Sequence, residues 1–312
     1  MKKLLFVLLS CFVLISSCSI NKIAINSISD ALGGSGSSDV FTSDSDPVLV
    51  GEALPFAIKM YETLLAQNPK HDGLILTTGS LFVMYANAFV QSPAEMLPSY
   101  EYEKREAALL RSKLLYLRGI DILYNGLDLK YPGFRNASAT NGTLQPILAK
   151  TKKEDTELLY WTVAGGLSAF SIDILDFELS SRIPDWTAMI HRAYELDPNF
   201  GGAALDEFFI IFYSSLPEAM GGNPELAGTH YRKAIEKTNG NSVGAHVSYA
   251  QSVCIPAEDY ETFSDCLEKA VAIDVDLDIS NRLVNVINQQ KAHWLLDNAW
   301  MHFPFLPIPD YY

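Results

Sequence analysis

Cysteine is scarce in this chain: there are four in 312 residues, and two of them fall within the first eighteen. That scarcity excludes a disulfide scaffold and a multi-cysteine zinc module. Positive charge is also short, with 23 Lys and Arg against 37 Asp and Glu and a formal charge of −14. A surface so acidic repels phosphate backbones, so nucleic acid is not an expected partner. Charged residues make up only 19% of the chain and hydrophobic ones 48%, which excludes a disordered protein and supplies a sizeable core. Beyond the N-terminus no run of ~18 uninterrupted apolar residues occurs, so no further membrane span is expected. The common signatures of chemistry are missing too. The sequence holds no HExxH string, no phosphate-cradling glycine loop and no Gly-x-Ser-x-Gly elbow.

The N-terminus is informative. Met1-Lys2-Lys3 is a short basic head, and residues 4–15 form an apolar run too short to span a bilayer. The run ends in Ile15-Ser16-Ser17-Cys18, which resembles the bacterial lipobox. The expectation is a lipoprotein signal peptide over 1–17, with Cys18 lipidated and becoming the new N-terminus. Several acyl chains hold a protein stably, since each buried methylene contributes about 0.8 kcal/mol. Glycine and serine dominate 33–38, so 18–47 reads as lipid anchor plus flexible tether. The folded body, 48–312, starts beside Asp46-Pro47, where Asp suits a helix cap and Pro the first turn. The expected location is a membrane-anchored protein facing the periplasm. Ser19 leaves inner versus outer membrane open.

From there the periodicity is helical. Leu54, Ile58, Tyr61 and Leu65 share a face of a helix ending at Asn68-Pro69, and Leu110, Leu114, Leu117 and Ile120 form a stripe within 100–129. Similar runs cover 158–179 and 283–300, while 132–149 reads as a loop. Pro-Gly, Gly-Gly and Asn-Gly pairs punctuate the rest, as short links between antiparallel helices require. The fold class is all-α.

A degenerate repeat underlies it. The second helix of a tetratricopeptide unit carries a small residue, an aromatic four on and another small residue three further, with Pro as the stop. Ala227, Tyr231 and Ala234 fit, as do Trp186, Ile190 and Ala193 followed by Pro198. Ala57, Tyr61 and Leu64 with Pro69 repeat the pattern, and Phe263, Leu267 and Ala270 give a weaker copy. The later copies are spaced wider than the ~34 residues of a strict repeat. The expected architecture is a superhelical stack of antiparallel helix pairs with a concave face or channel.

The last third of the chain carries a more specific likeness. It runs from His230-Tyr231-Arg232-Lys233-Ala234-Ile235-Glu236 through Ser248-Tyr249-Ala250 and Ile255-Pro256 to Leu267-Glu268-Lys269-Ala270. It closes on Asn288-Gln289-Gln290-Lys291-Ala292-His293-Trp294-Leu295-Leu296. With the lipobox and the tether, this resembles the TatT family, the helical-repeat lipoproteins of tripartite ATP-independent periplasmic (TRAP) transporters. The closing string is similar to the family's Gln-basic-basic-Ala-x-Trp-Leu-Leu helix, with Gln290-Lys291 where a basic pair is more usual. The resemblance implies an accessory subunit that docks the periplasmic solute-binding (P) subunit and passes a small hydrophobic ligand through a helical channel. It implies no catalytic residue and no cofactor. A helical-repeat scaffold of envelope or outer-membrane assembly is the alternative.

Other constellations are weighed on their residues. The six histidines (His71, His191, His230, His246, His293, His302) show no metal-ligand spacing, so no metal site is expected. Asp274-Val275-Asp276-Leu277-Asp278 starts like a calcium loop but lacks its glycine and its final glutamate, so it reads as a helix-capping turn. Cys254 and Cys266 flank a turn, and either a disulfide or two buried thiols fits. Tyr160, Trp161, Phe208, Phe209, Phe212 and Tyr213 either line a ligand channel or pack between helices, and packing is the plainer reading. The proline-rich tail 303–309 is not helical and clamps across the body or a neighbouring subunit, which leaves a homo-oligomer open.

Overall fold

The computed structural model describes residues 39–308; Cys18, the signal segment and the glycine-serine stretch 33–38 lie outside them. Among the described residues every regular element is helical and there is no strand.

Helix α1, Pro47–Gln67, begins where its residues require. The Asp46 carboxylate accepts the N–H groups of Val48 at 3.0 Å and Leu49 at 3.1 Å, and Pro47 holds the first position. Ahead of it a helical turn, Asp39–Thr42, sits inside the expected tether, and Phe41 packs on the same core as α1. The end of the tether is therefore docked, not free.

Helix α2, Asp72–Ala86, runs on through a π turn, Asn87–Gln91, to Ser92–Glu95. By length and composition the stretch Asp72–Glu95 could cross a membrane, against the expectation from the sequence. In the fold it is a core helix, with Leu74, Ile75, Leu81 and Phe82 buried.

Helix α3, Tyr102–Lys130, corrects the expected stripe. Leu110 and Leu114 are 58% and 59% exposed, and the core face is Tyr116, Ile120, Leu123 and Leu127. The helix carries two apolar stripes, and Gly119 decides between them. A Cβ there would lie 2.9 Å from the Gly79 carbonyl oxygen, so only glycine lets α2 and α3 approach on that side. The loop 132–149 is largely irregular, as expected, but it is anchored by buried Phe134, Leu144 and Leu148.

Helix α4, Thr156–Ile172, stops short of the apolar run that extends to Leu179. The Lys113 ammonium draws in Asp173 at 2.8 Å and Asp176 at 2.7 Å, and the chain turns there. Six longer helices come after it: α5 Ile183–Leu196, α6 Ala204–Ser215, α7 Pro224–Lys237, α8 Val243–Tyr249, α9 Tyr260–Ala272 and α10 Arg282–Asp297. A second π turn, Ala250–Cys254, extends α8.

The last helix returns to the first. Leu283 joins Val50, Leu54 and Ile58 in one cluster, Arg282 donates to the Ser43 carbonyl at 3.2 Å, and Lys291 reaches Glu95 at 3.4 Å. The stack is thereby closed into a ring. The tail after α10 inserts Phe303, fully buried, against Phe263 with ring centres 5.0 Å apart, so it clamps the chain's own body.

The helices pair, but not with a repeat's regularity. α5 packs on α4, α7 on α6 and α9 on α8, which puts three signature helices second in their pairs. α1 instead packs on the helix after it, and α3 at 29 residues is longer than a ~34-residue unit allows for one of its two helices. The structure shows helix pairs; it does not show the tetratricopeptide period.

Candidate functional site

Helix α6 starts Ala-Leu-Asp-Glu-Phe-Phe, two acids at the head of an otherwise apolar helix. Asp206 is completely buried, so its charge must be matched from within. Lys237 donates to it at 2.5 Å, His230 Nδ1 at 2.7 Å and Tyr194 Oη at 3.2 Å. Burial pushes the carboxyl upward, but the hydrogen bonds from His230 and Lys237 together hold it below the usual carboxylate range. Phe209 stacks on His230 with ring centres 4.7 Å apart. This knot ties α5, α6 and α7 into one rigid wall.

The neighbouring acid behaves differently. Glu207 and Tyr160 are both half-buried. Trp161, Phe200 and Phe208 stand round Tyr160 with ring centres 5.2, 5.3 and 6.1 Å away, and all three are half-buried. Glu207 accepts from Ser242 at 2.5 Å, and burial raises its carboxyl above the ordinary value despite that bond. Gly244 makes room: a Cβ there would meet Glu207 Oε2 at 2.6 Å. The arrangement is a cluster of aromatic rings beside a carboxyl whose charged form is disfavoured by burial.

The six aromatic residues singled out in the sequence therefore divide. Phe209, Phe212 and Tyr213 are buried, whereas Tyr160, Trp161 and Phe208 are half-buried and pack against the same core.

A separate surface cleft of about 750 Å³ lies between α7 and α9, lined by Tyr231, Ile235, His246, Ile273 and Leu277 among others. Behind its wall sit both cysteines, buried and unbonded to each other. Tyr231 Oη lies 2.9 Å from His246 Nδ1 and 3.5 Å from Cys266 Sγ. Cys266 is the more acidic thiol, lowered first by a hydrogen bond from Cys254 and then by His246 and Tyr231.

The remaining candidates have structural places. His71 caps α2 through Nδ1, which accepts the Leu74 N–H at 3.1 Å. Asp274 accepts the Asp276 N–H at 3.0 Å, Asp276 pairs with Arg282 at 2.8 Å, and Asp278 holds Ser280 and Asn281, so that acidic turn is a cap. No grouping of three or more His, Cys, Asp or Glu among the described residues is placed to hold a metal ion. Cys18, the expected lipidation site, lies outside the described residues.

Sequence reasoning missed Asp206, Glu207 and Gln289. The acid pair inside an apolar helix is the signal for the first two. Gln289 belongs to the closing string, and its amide donates to the carbonyls of Ala270, Val271 and Ile273 at 3.1, 3.2 and 2.7 Å. It seals the C-terminus of α9, where unpaired carbonyls gather.

Fold and site together describe an all-α protein whose last helix packs back on its first and which holds a half-buried aromatic cluster about Tyr160. The TRAP transporter T-component family model matches residues 43–303, and the chain belongs to that family. It is thus a TRAP transporter-associated accessory component. An uncharacterized protein of Treponema pallidum (strain Nichols) is 34% identical over 304 residues, covering 93% of this chain and 94% of the relative.

Proposed function

We propose that this T-component is a periplasmic lipoprotein, held in the membrane by acyl chains on Cys18, that docks the solute-binding subunit of a TRAP transporter and takes a small apolar ligand into its hollow. The observation that carries the reading is the group of half-buried aromatic rings, Trp161, Phe200 and Phe208, gathered round Tyr160 in a stack closed by α10. Rings of aromatic side chains with a single polar group suit a ligand that is mostly hydrocarbon. Residues 1–17 serve as the signal peptide and 18–47 as anchor and tether, shortened by the docked turn Asp39–Thr42. Membership of the T-component family supports the association with the transporter.

The test is isolation of the processed protein from native envelopes under mild detergent. The reading expects a TRAP solute-binding subunit to co-purify in a fixed ratio. Recovery of the protein alone, with the solute-binding subunit detectable in the same extract, overturns the docking role.

A further inference from the structure

We propose that Cys254 and Cys266 are joined by a disulfide in the mature, exported protein, and that this bond locks the α8–α9 hairpin forming one wall of the surface cleft. Apart from the cysteines at 11 and 18, these are the only two in the chain, and the fold brings them together. Both are buried in one cluster with Phe263, Leu267 and Phe303, and the π turn that carries Cys254 packs directly on the helix that carries Cys266. Cys254 ends the π turn Ala250–Cys254, and Cys266 lies in the middle of α9.

The chemistry rests on the short separation. The pair closes a small loop, so the two sulfurs meet as the hairpin forms and before they are covered. One thiolate attacks a sulfur of a disulfide oxidant, a protein or low-molecular-weight disulfide of the compartment, and expels one oxidant thiol. The second thiolate then attacks the resulting mixed disulfide and expels the other. Two cysteine S–H groups are oxidised, their protons pass to the departing thiols, and the oxidant is reduced to its dithiol form. Burial afterwards shields the bond from reduction.

The cleft gives the bond a role. Tyr231 and His246 line it, Tyr231 lies against Cys266 and His246 is bonded to Tyr231, so a fixed hairpin fixes their positions. The inference rests on export to an oxidising compartment.

The experiment takes the full-length gene product from its own cells, blocks free thiols with an alkylating agent in denaturant, and maps peptides by mass spectrometry without reduction. A cross-linked pair of peptides joined through Cys254 and Cys266, lighter by two hydrogens than their sum and separated by reductant, is the expected result. Alkylated Cys254 and Cys266 overturn the proposal. The N-terminal peptide in the same digest tells which premise failed. Acylated Cys18 with alkylated thiols leaves the export reading standing and removes the disulfide, whereas an unprocessed N-terminus removes both. As a second readout, reductant lowers the melting temperature of the wild-type protein and leaves that of Cys254→Ser unchanged. Equal insensitivity of both proteins contradicts the bond.

Discussion

Lys237 and Asp206 meet at 2.5 Å with the carboxylate wholly buried and the lysine 23% exposed. A charge in that position is tolerated only while its partners are in place. Asp206→Ala strands the lysine beside buried His230, and the expected loss is roughly 3 kcal/mol or more. Urea unfolding followed by circular dichroism at neutral pH measures it. The sign of the pH effect is fixed by the depressed carboxyl. Its contribution is full above the unfolded value near ~4 and disappears as pH falls through the folded value. The gap between wild type and Asp206→Ala therefore narrows only in acid below about pH 4.

Glu207 predicts the opposite sign. Burial raises its folded value, so the protonated carboxyl is favoured and its stability contribution is lost as pH rises through that value. Glu207→Gln keeps an oxygen for Ser242 and removes the charge. It is expected to be more stable than wild type at pH 8 and to match wild type near pH 4. Thermal melts at the two pH values compare them. A variant that melts lower at both would show that the carboxylate is paired, not stranded.

Gly119→Ala tests the contact between α2 and α3. The new methyl group meets the Gly79 carbonyl and Phe82, both on α2, so the helices must separate. Overpacking of this kind costs about 1–3 kcal/mol. Chemical denaturation of the purified variant reads the cost directly, and an unchanged midpoint would mean that the two helices slide apart freely.

Gln289→Ala leaves three carbonyls at the end of α9 without their donor. The expected loss is about 1 kcal/mol. Hydrogen exchange should quicken in the last turn of α9 and remain as in wild type in α2 and α4. Uniform quickening across the chain would assign Gln289 a global role instead.

Element identity was legible because it depends on local chemistry. Asp46-Pro47 marks the start of α1, and glycine pairs mark the links. Partner choice was less legible. Leu110 and Leu114 satisfy a helical stripe as well as Tyr116 and Leu123 do, and only the three-dimensional approach at Gly79 and Gly119 selects one. The aromatic cluster was half-visible. All its aromatic residues except Phe200 were named, but Phe208 and Phe209 are adjacent, and one packs beside Tyr160 while the other stacks on His230. Ring closure by α10 joins residues more than two hundred positions apart, which no local spacing encodes.

Above all, the hollow beside Trp161 should admit apolar ligands. Quenching of tryptophan fluorescence by a brominated fatty acid, titrated into detergent-free protein, is the sharpest test, because bromine quenches on contact. The other tryptophans, Trp186, Trp294 and Trp300, remain in Trp161→Phe as background, so the quenching that this variant loses is the signal that reports on Trp161. Saturable quenching that falls sharply in Trp161→Phe, a variant that keeps a ring beside Tyr160, is the expected result. Quenching that never saturates, or that is the same in Trp161→Phe, contradicts a ligand-binding hollow.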